Sequence, residues 1–139
     1  MYPYRALRLD NNEPIYGCYD SFRFQILNKD GITPVNPSTV SRNTELFVDV
    51  YKCEDLSEYL FENDLVLIED EIVAYVKYEC GKFIFVSYEF DDTYKDVSDY
   101  WVDSIYLNCE VKKVGTVFDK NNKFLKRFKG VLPSAIQWS

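Results

Sequence analysis

Short runs of apolar residues, broken at close intervals by polar turns, set the character of this chain. Residues 5–9 and 14–19 read as strands flanking Asp10-Asn11-Asn12, a turn because Asn and Asp tolerate left-handed backbone. Phe22, Phe24 and Ile26 recur at period 2 and predict a half-buried strand over 22–26. Asn28-Lys29-Asp30-Gly31 is a tight turn, with Gly31 accepting a positive φ at little cost. Pro34, Pro37 and Ser38 then hold a loop. A strand is expected over 45–52, followed by one helical turn or a structured loop over 54–61.

The pattern is clearest over 65–90. Leu65-Val66-Leu67-Ile68, the acidic turn Glu69-Asp70-Glu71, residues 72–78, a turn at Gly81-Lys82 and residues 83–88 make a three-stranded meander, the start of a small barrel. Residues 91–103 read as a long polar loop with one helical turn over 97–102. A last strand spans 110–118, and Gly115 within it marks a bulge or bend. Residues 123–129 predict a short basic helix stopped by Gly130, and the tail beyond Pro133 packs through Ile136 and Trp138. The expected class is mainly β, a meander or small barrel with an N-terminal β extension and a short C-terminal helix.

Length and composition narrow this further. The 139 residues suit one domain, read as a β extension over 1–53, a barrel core over 61–118, and a basic helix and tail over 119–139. The chain contains no histidine, so Ser-His-Asp and Cys-His arrangements are excluded, and its five glycines are scattered with no phosphate-cradling loop. Neither an enzyme nor a cofactor site is expected. Cys18, Cys53, Cys80 and Cys109 form no Cys-x-x-Cys pair, so no metal is expected, and they read as reduced, mostly buried thiols. The N-terminus lacks the apolar stretch of a signal peptide and no window is long enough to span a bilayer, which points to the cytoplasm.

Net charge is −7, which disfavours broad binding to a phosphate backbone. The charge is segregated. From 54 to 71 every charged residue is acidic, including Glu54, Asp55, Glu58 and Glu62. A second acidic stretch carries Glu89, Asp91, Asp92, Asp96, Asp99 and Asp103, with Tyr94, Tyr100 and Trp101 among them. The C-terminal part is basic, with Lys120, Lys123, Lys126, Arg127 and Lys129. Such polarity steers an oppositely charged partner, although acidic turns and one basic helix are also ordinary solvated faces.

Several short motifs occur in an order that resembles the YopX proteins, a family encoded largely by phages and prophages. They are Tyr4-Arg5-Ala6 through Asp10-Asn11 to Ile15-Tyr16-Gly17, then Pro37-Ser38-Thr39-Val40, and then Phe61-Glu62-Asn63-Asp64-Leu65-Val66. Val76-Lys77-Tyr78 with Gly81 and Phe83, and Glu110-Val111 to Asp119, complete the series over nearly the full length. The chain departs from the family at Asn63, where glycine is usual, and over 41–60, which replaces a different stretch. The resemblance implies an SH3-like small barrel, a mobile-element origin and self-association, and supplies no catalytic residues.

Aromatic anchors ringed by carboxylates suit an interface with a basic protein surface. The expected function is therefore binding to a host protein, with inhibition of an anti-phage defence complex (anti-CRISPR or anti-restriction) as its concrete form. The contact surface is expected at 89–103, with Glu54 to Glu62 second. The alternatives are nucleic-acid binding through the basic helix, although Phe124, Leu125 and Phe128 serve equally to dock it, and a self-assembling oligomer.

Overall fold

In the computed structural model, described over residues 1–90 and 101–133 apart from the side chain of Glu54, the protein is mainly β and forms two compact units, Met1–Asn43 and Thr44–Ser139. The earlier expectations for residues 97–100, Ile136 and Trp138 lie outside the described residues.

The first unit is an antiparallel array of β1 (Tyr4–Leu7), β2 (Pro14–Asp20), β3 (Gln25–Asn28) and β4 (Gly31–Pro34), each paired with the next. β5 (Ser41–Val50) begins here, with Arg42 and Ser41 opposite Tyr4 and Arg5. Alternation sends Ala6, Ile26 and Val35 into a small core that Tyr4, Ile15, Tyr19 and Val40 complete. Gly17 is required where β2 passes β3, because a Cβ there would run into the Leu27 carbonyl. Asn12 takes φ +59 after the Asp10-Asn11 turn, as its side chain permits.

Residues 22–26 are not the strand that their period-2 pattern suggested. Asp20 already pairs with Gln25, so residues 21–24 form the turn and only Ile26 reaches the core. β4 was missed because its partner is β3, and proline at its end masked a short edge strand.

The second unit contains the rest of β5, β6 (Cys53–Phe61), β7 (Asp64–Ile68), β8 (Ile72–Glu79), β9 (Lys82–Val86), α1 (Val102–Asn108), β10 (Val111–Thr116) and α2 (Lys123–Arg127). The order is β5-β10-β7-β8-β9, with β5 and β10 parallel and β6 paired to β5. Both faces of this sheet are covered. Val66, Ile68, Ala74, Val76 and Phe85 pack with Val102 and Ile105 of α1, while Leu65, Leu67, Val73 and Tyr75 pack with Phe124 of α2. That is why all five residues of β7 are buried: a strand covered on both sides needs apolar groups at both parities.

The mainly β meander is present, and the sheet does not close into a barrel. Among the described residues no pairing joins β9 back to β5 or β6, and the helices cover the faces that closure would have buried. Residues 54–61 are a strand instead of a helical turn, because Lys52 at φ +62 turns the chain back onto β5. The meander, the final strand and the basic helix lie where the pattern put them. Glu69-Asp70 and Cys80-Gly81 both have paired positive φ, the geometry of tight hairpin turns. Gly115 (φ +143) sits at a register shift against β7, where a Cβ would collide with the Asn122 amide.

The cysteines depart from expectation as well. Cys18, Cys53 and Cys80 are exposed and Cys109 is half-buried, all as free thiols. Cys18 follows the inward Gly17 and so faces outward, while Cys53 opens β6 just after the Tyr51-Lys52 turn and Cys80 lies in the β8–β9 hairpin turn.

Candidate interaction surface

The segment 61–66 is a structural junction. Asn63 occupies φ +71 in the β6–β7 turn, donates its N–H to the Val76 carbonyl at 2.8 Å and accepts from Val117 N at 2.9 Å. Asp64 is wholly buried, and its Oδ2 accepts from Phe61 N at 2.7 Å. Lys113 of β10, 8% exposed, brings its Nζ to 3.1 Å from Asp64 Oδ2, 3.1 Å from Glu58 Oε2 and 3.1 Å from the Tyr59 carbonyl. The Phe61 ring lies 5.9 Å away. Glu58 is thus half of an ion pair, and the buried lysine ties β6, β7 and β10 together.

The acidic turns are also partly committed to the fold. Glu69 exchanges two hydrogen bonds with Glu110, donating its N–H to the Glu110 carbonyl and accepting Glu110 N at Oε1. Lys112 reaches Glu110 at 2.9 Å and Asp70 at 3.8 Å. Glu89, half-buried, accepts from Val73 N at 3.2 Å through Oε2 and donates its own N–H to Ser87 Oγ. Trp101 is half-buried, bridges to Ile84 and carries Lys82 Nζ 4.9 Å above its ring. Asp103 is exposed in the first turn of α1. Asp91, Asp92, Tyr94, Asp96, Asp99 and Tyr100 lie outside the described residues.

An acidic aromatic surface does occur, on β5 and β6. The Phe47 and Tyr59 rings stack at 4.0 Å with an interplanar angle of 28°, and Phe47 is 51% exposed. Ser57 Oγ donates to Asp49 Oδ1 at 3.1 Å, so these strands meet side by side along the same face. Alternation places the exposed Asp49 beside Phe47, and Asp55 and Ser57 beside Tyr59. The Tyr106 hydroxyl fixes the strand from below by donating to the Phe47 carbonyl at 2.9 Å. Glu54 and Asp55 belong to β6, whereas Glu62 lies in the following turn beside an open groove of about 440 Å³ that Tyr75, Lys77 and Tyr78 also line. Phe47, Asp49 and Tyr59 escaped the sequence reading because residues 54–61 were not read as a strand; two alternating strands joined at Tyr51-Lys52 would have placed them together.

The basic end is equally defined. Asn122 caps α2 by accepting from Phe124 N and Leu125 N, and its amide donates to the Val114 carbonyl at 2.8 Å. Phe124 is buried with its ring edge-on to Tyr51 at 5.1 Å, while Lys120, Lys123, Lys126, Arg127 and Lys129 are all exposed. Burial lifts the Tyr75 phenol, whose hydroxyl donates to the Val131 carbonyl, to about 12, with the Glu79 carboxylate adding to the shift.

Among the described residues no group of three or more acidic or cysteine side chains is placed to hold a metal, and no helix is long and apolar enough to cross a membrane. In comparisons with family models, curated proteins and solved structures, nothing matches this chain.

Proposed function

We propose that this is a non-enzymatic, YopX-like phage protein that binds a host protein in the cytoplasm and blocks a defence complex. The observation that supports this reading best is the stacked Phe47–Tyr59 pair beside Asp49 and Asp55 on an exposed strand face. Rigid aromatic area surrounded by carboxylates is the chemistry that meets a basic protein surface, such as one that otherwise holds nucleic acid. The acidic aromatic stretch 89–103 is proposed as part of the same kind of contact, with Asp103 its exposed described member.

The test is an affinity pull-down from host lysate at low and high salt after nuclease treatment. It compares the natural chain with the variant Phe47→Ala, Asp55→Lys, Tyr59→Ala. A stoichiometric host protein that survives nuclease and is lost by the variant is the expected result. Equal recovery by both chains removes this face from the interaction.

A second reading has its own support in the five exposed cations around α2, which suit contact with phosphates. Nucleic acid recovered at low salt, and lost with Lys123→Glu and Lys126→Glu, would favour it. An empty bait with a discrete oligomer would favour self-assembly.

A further inference from the structure

Phe22 is the most exposed large apolar side chain among the described residues, at 94%. A single exposed apolar group is ordinary on a protein surface, so the weight rests on how this one is presented. It stands at the tip of the β2–β3 hairpin in a turn fixed from both sides. Asp20 Oδ1 accepts from Phe22 N at 3.0 Å and from Arg23 N at 3.3 Å, and the Phe24 carbonyl accepts from Val35 N at 3.0 Å. Arg23 is 77% exposed along its side chain, and its guanidinium reaches Asp20 only at 3.8 Å, too far for a hydrogen bond. Phe24 closes the turn at φ +53 while 49% exposed. Glycine or asparagine adopts that conformation at lower cost, and the half-exposed ring adds little to the core.

We infer that the turn over 20–24 is a docking element, separate from the β5–β6 face, that seats Phe22 in an apolar pocket of a partner protein. The carboxylate-bearing rim of that pocket receives Arg23. A guanidinium has five donors arranged to grip a carboxylate, and Arg23 offers most of them to an incoming group. The backbone that presents the ring is already fixed by these hydrogen bonds, so the turn loses little conformational freedom on docking. Charge selects the class of partner. The first unit has five basic and four acidic residues, net +1, and the rest of the chain has 11 basic and 19 acidic, net −8. One arginine beside Asp20 is a poor match for an anionic membrane or a nucleic-acid strand, each of which is held by several cations. It is a good match for a single carboxylate at a pocket rim.

The test places the photo-crosslinker p-benzoylphenylalanine at position 22 of the full chain. A control chain carries it at Lys29, on the neighbouring β3–β4 turn, and both are irradiated in host lysate. The expected adduct maps to one pocket with an Asp or Glu at its edge, and Arg23→Glu lowers its yield about tenfold, roughly the loss of one charge-assisted contact. Phe24→Gly lowers the yield while leaving the melting temperature at or above that of the natural chain, which separates a recognition role from a folding role. Adducts spread over many proteins as at position 29, adducts within the chain itself, or none at all would overturn the inference. So would binding to phosphatidylserine vesicles or a single-stranded oligothymidine that depends on Phe22. Because this turn is remote in sequence from Phe47 and Tyr59, its failure leaves the β5–β6 reading standing, and the reverse also holds.

Discussion

Replacing Lys113 by Met tests how the second unit is tied together. The substitution keeps most of the side-chain volume and removes the charge that meets Asp64, Glu58 and the Tyr59 carbonyl. At 3.1 Å the attraction between Lys113 and Asp64 is about 5 kcal/mol for an effective dielectric near 20, before desolvation is subtracted. Removing one member of a buried pair strands the other, so Lys113→Met should cost about 3 kcal/mol. Glu58 is 47% exposed, and Glu58→Gln should cost only about 0.5 kcal/mol. Asp64→Asn keeps an acceptor for Phe61 N and leaves Lys113 its other partners, so its cost falls between these. The double variant Lys113→Met, Asp64→Asn should be more stable than Lys113→Met alone, because no buried charge is then left without its counterion. Urea unfolding followed by far-ultraviolet circular dichroism and by Trp fluorescence gives each value. Equal costs for Lys113→Met and Glu58→Gln, or a double variant weaker than either single one, would refute the claim that burial makes this pair count.

Three further outcomes follow from the same geometry. Asn122→Ala removes the α2 cap and the amide that satisfies the Val114 carbonyl, and should lower stability by about 1–2 kcal/mol in thermal or urea unfolding. Gly115→Ala should cost about 2 kcal/mol or more, since it imposes a side chain at φ +143 against the Asn122 amide. Tyr75, raised to about 12 in the folded chain, should appear in an ultraviolet titration as a late transition that Tyr75→Phe removes. The unfolded phenol gives up its proton near pH 10 while the folded one keeps it. The stability it contributes is therefore complete below about pH 10 and is lost as pH rises toward 12. Tyr75→Phe should flatten that alkaline decline.

What the sequence could reveal depended on how local the cause was. The β7-β8-β9 meander, the Gly115 bulge and α2 each follow from signals within a few residues: paired turn residues, one glycine, one capping asparagine. β6 and β4 did not, because each is a strand by virtue of its partner. Residues 54–61 place Leu56, Tyr59 and Leu60 at a spacing that also suits a helix, and only pairing with β5 decides the matter. That the sheet stays open was illegible for a related reason. A run such as Leu65 to Ile68 is equally apolar whether a barrel closes around it or helices cover both its faces. Charge was legible as a count and illegible as a surface: Glu58, Asp64, Glu69 and Glu89 look alike in sequence, yet each is held by a particular partner in the fold.

Eight non-glycine residues have positive φ among those described, and seven are polar or small side chains in tight connections or at an irregularity within β5. Asn63 shows the ordinary case, in which a tolerant residue meets a demand that the buried Asp64 and the bonds to Val76 and Val117 impose. Phe24 is the one aromatic in the set. The β2–β3 turn demands its conformation, but the core makes little use of its ring, so folding alone would be served better by glycine. A local choice that opposes the fold without a packing gain is what a binding surface produces, since there the side chain answers to a partner. By that reasoning the Phe22–Phe24 turn and the Phe47–Tyr59 face are two surfaces of different chemistry. One is an aromatic tip with a single arginine, and the other is an aromatic pair among carboxylates, so a partner that fits the first gains nothing from the charge pattern of the second.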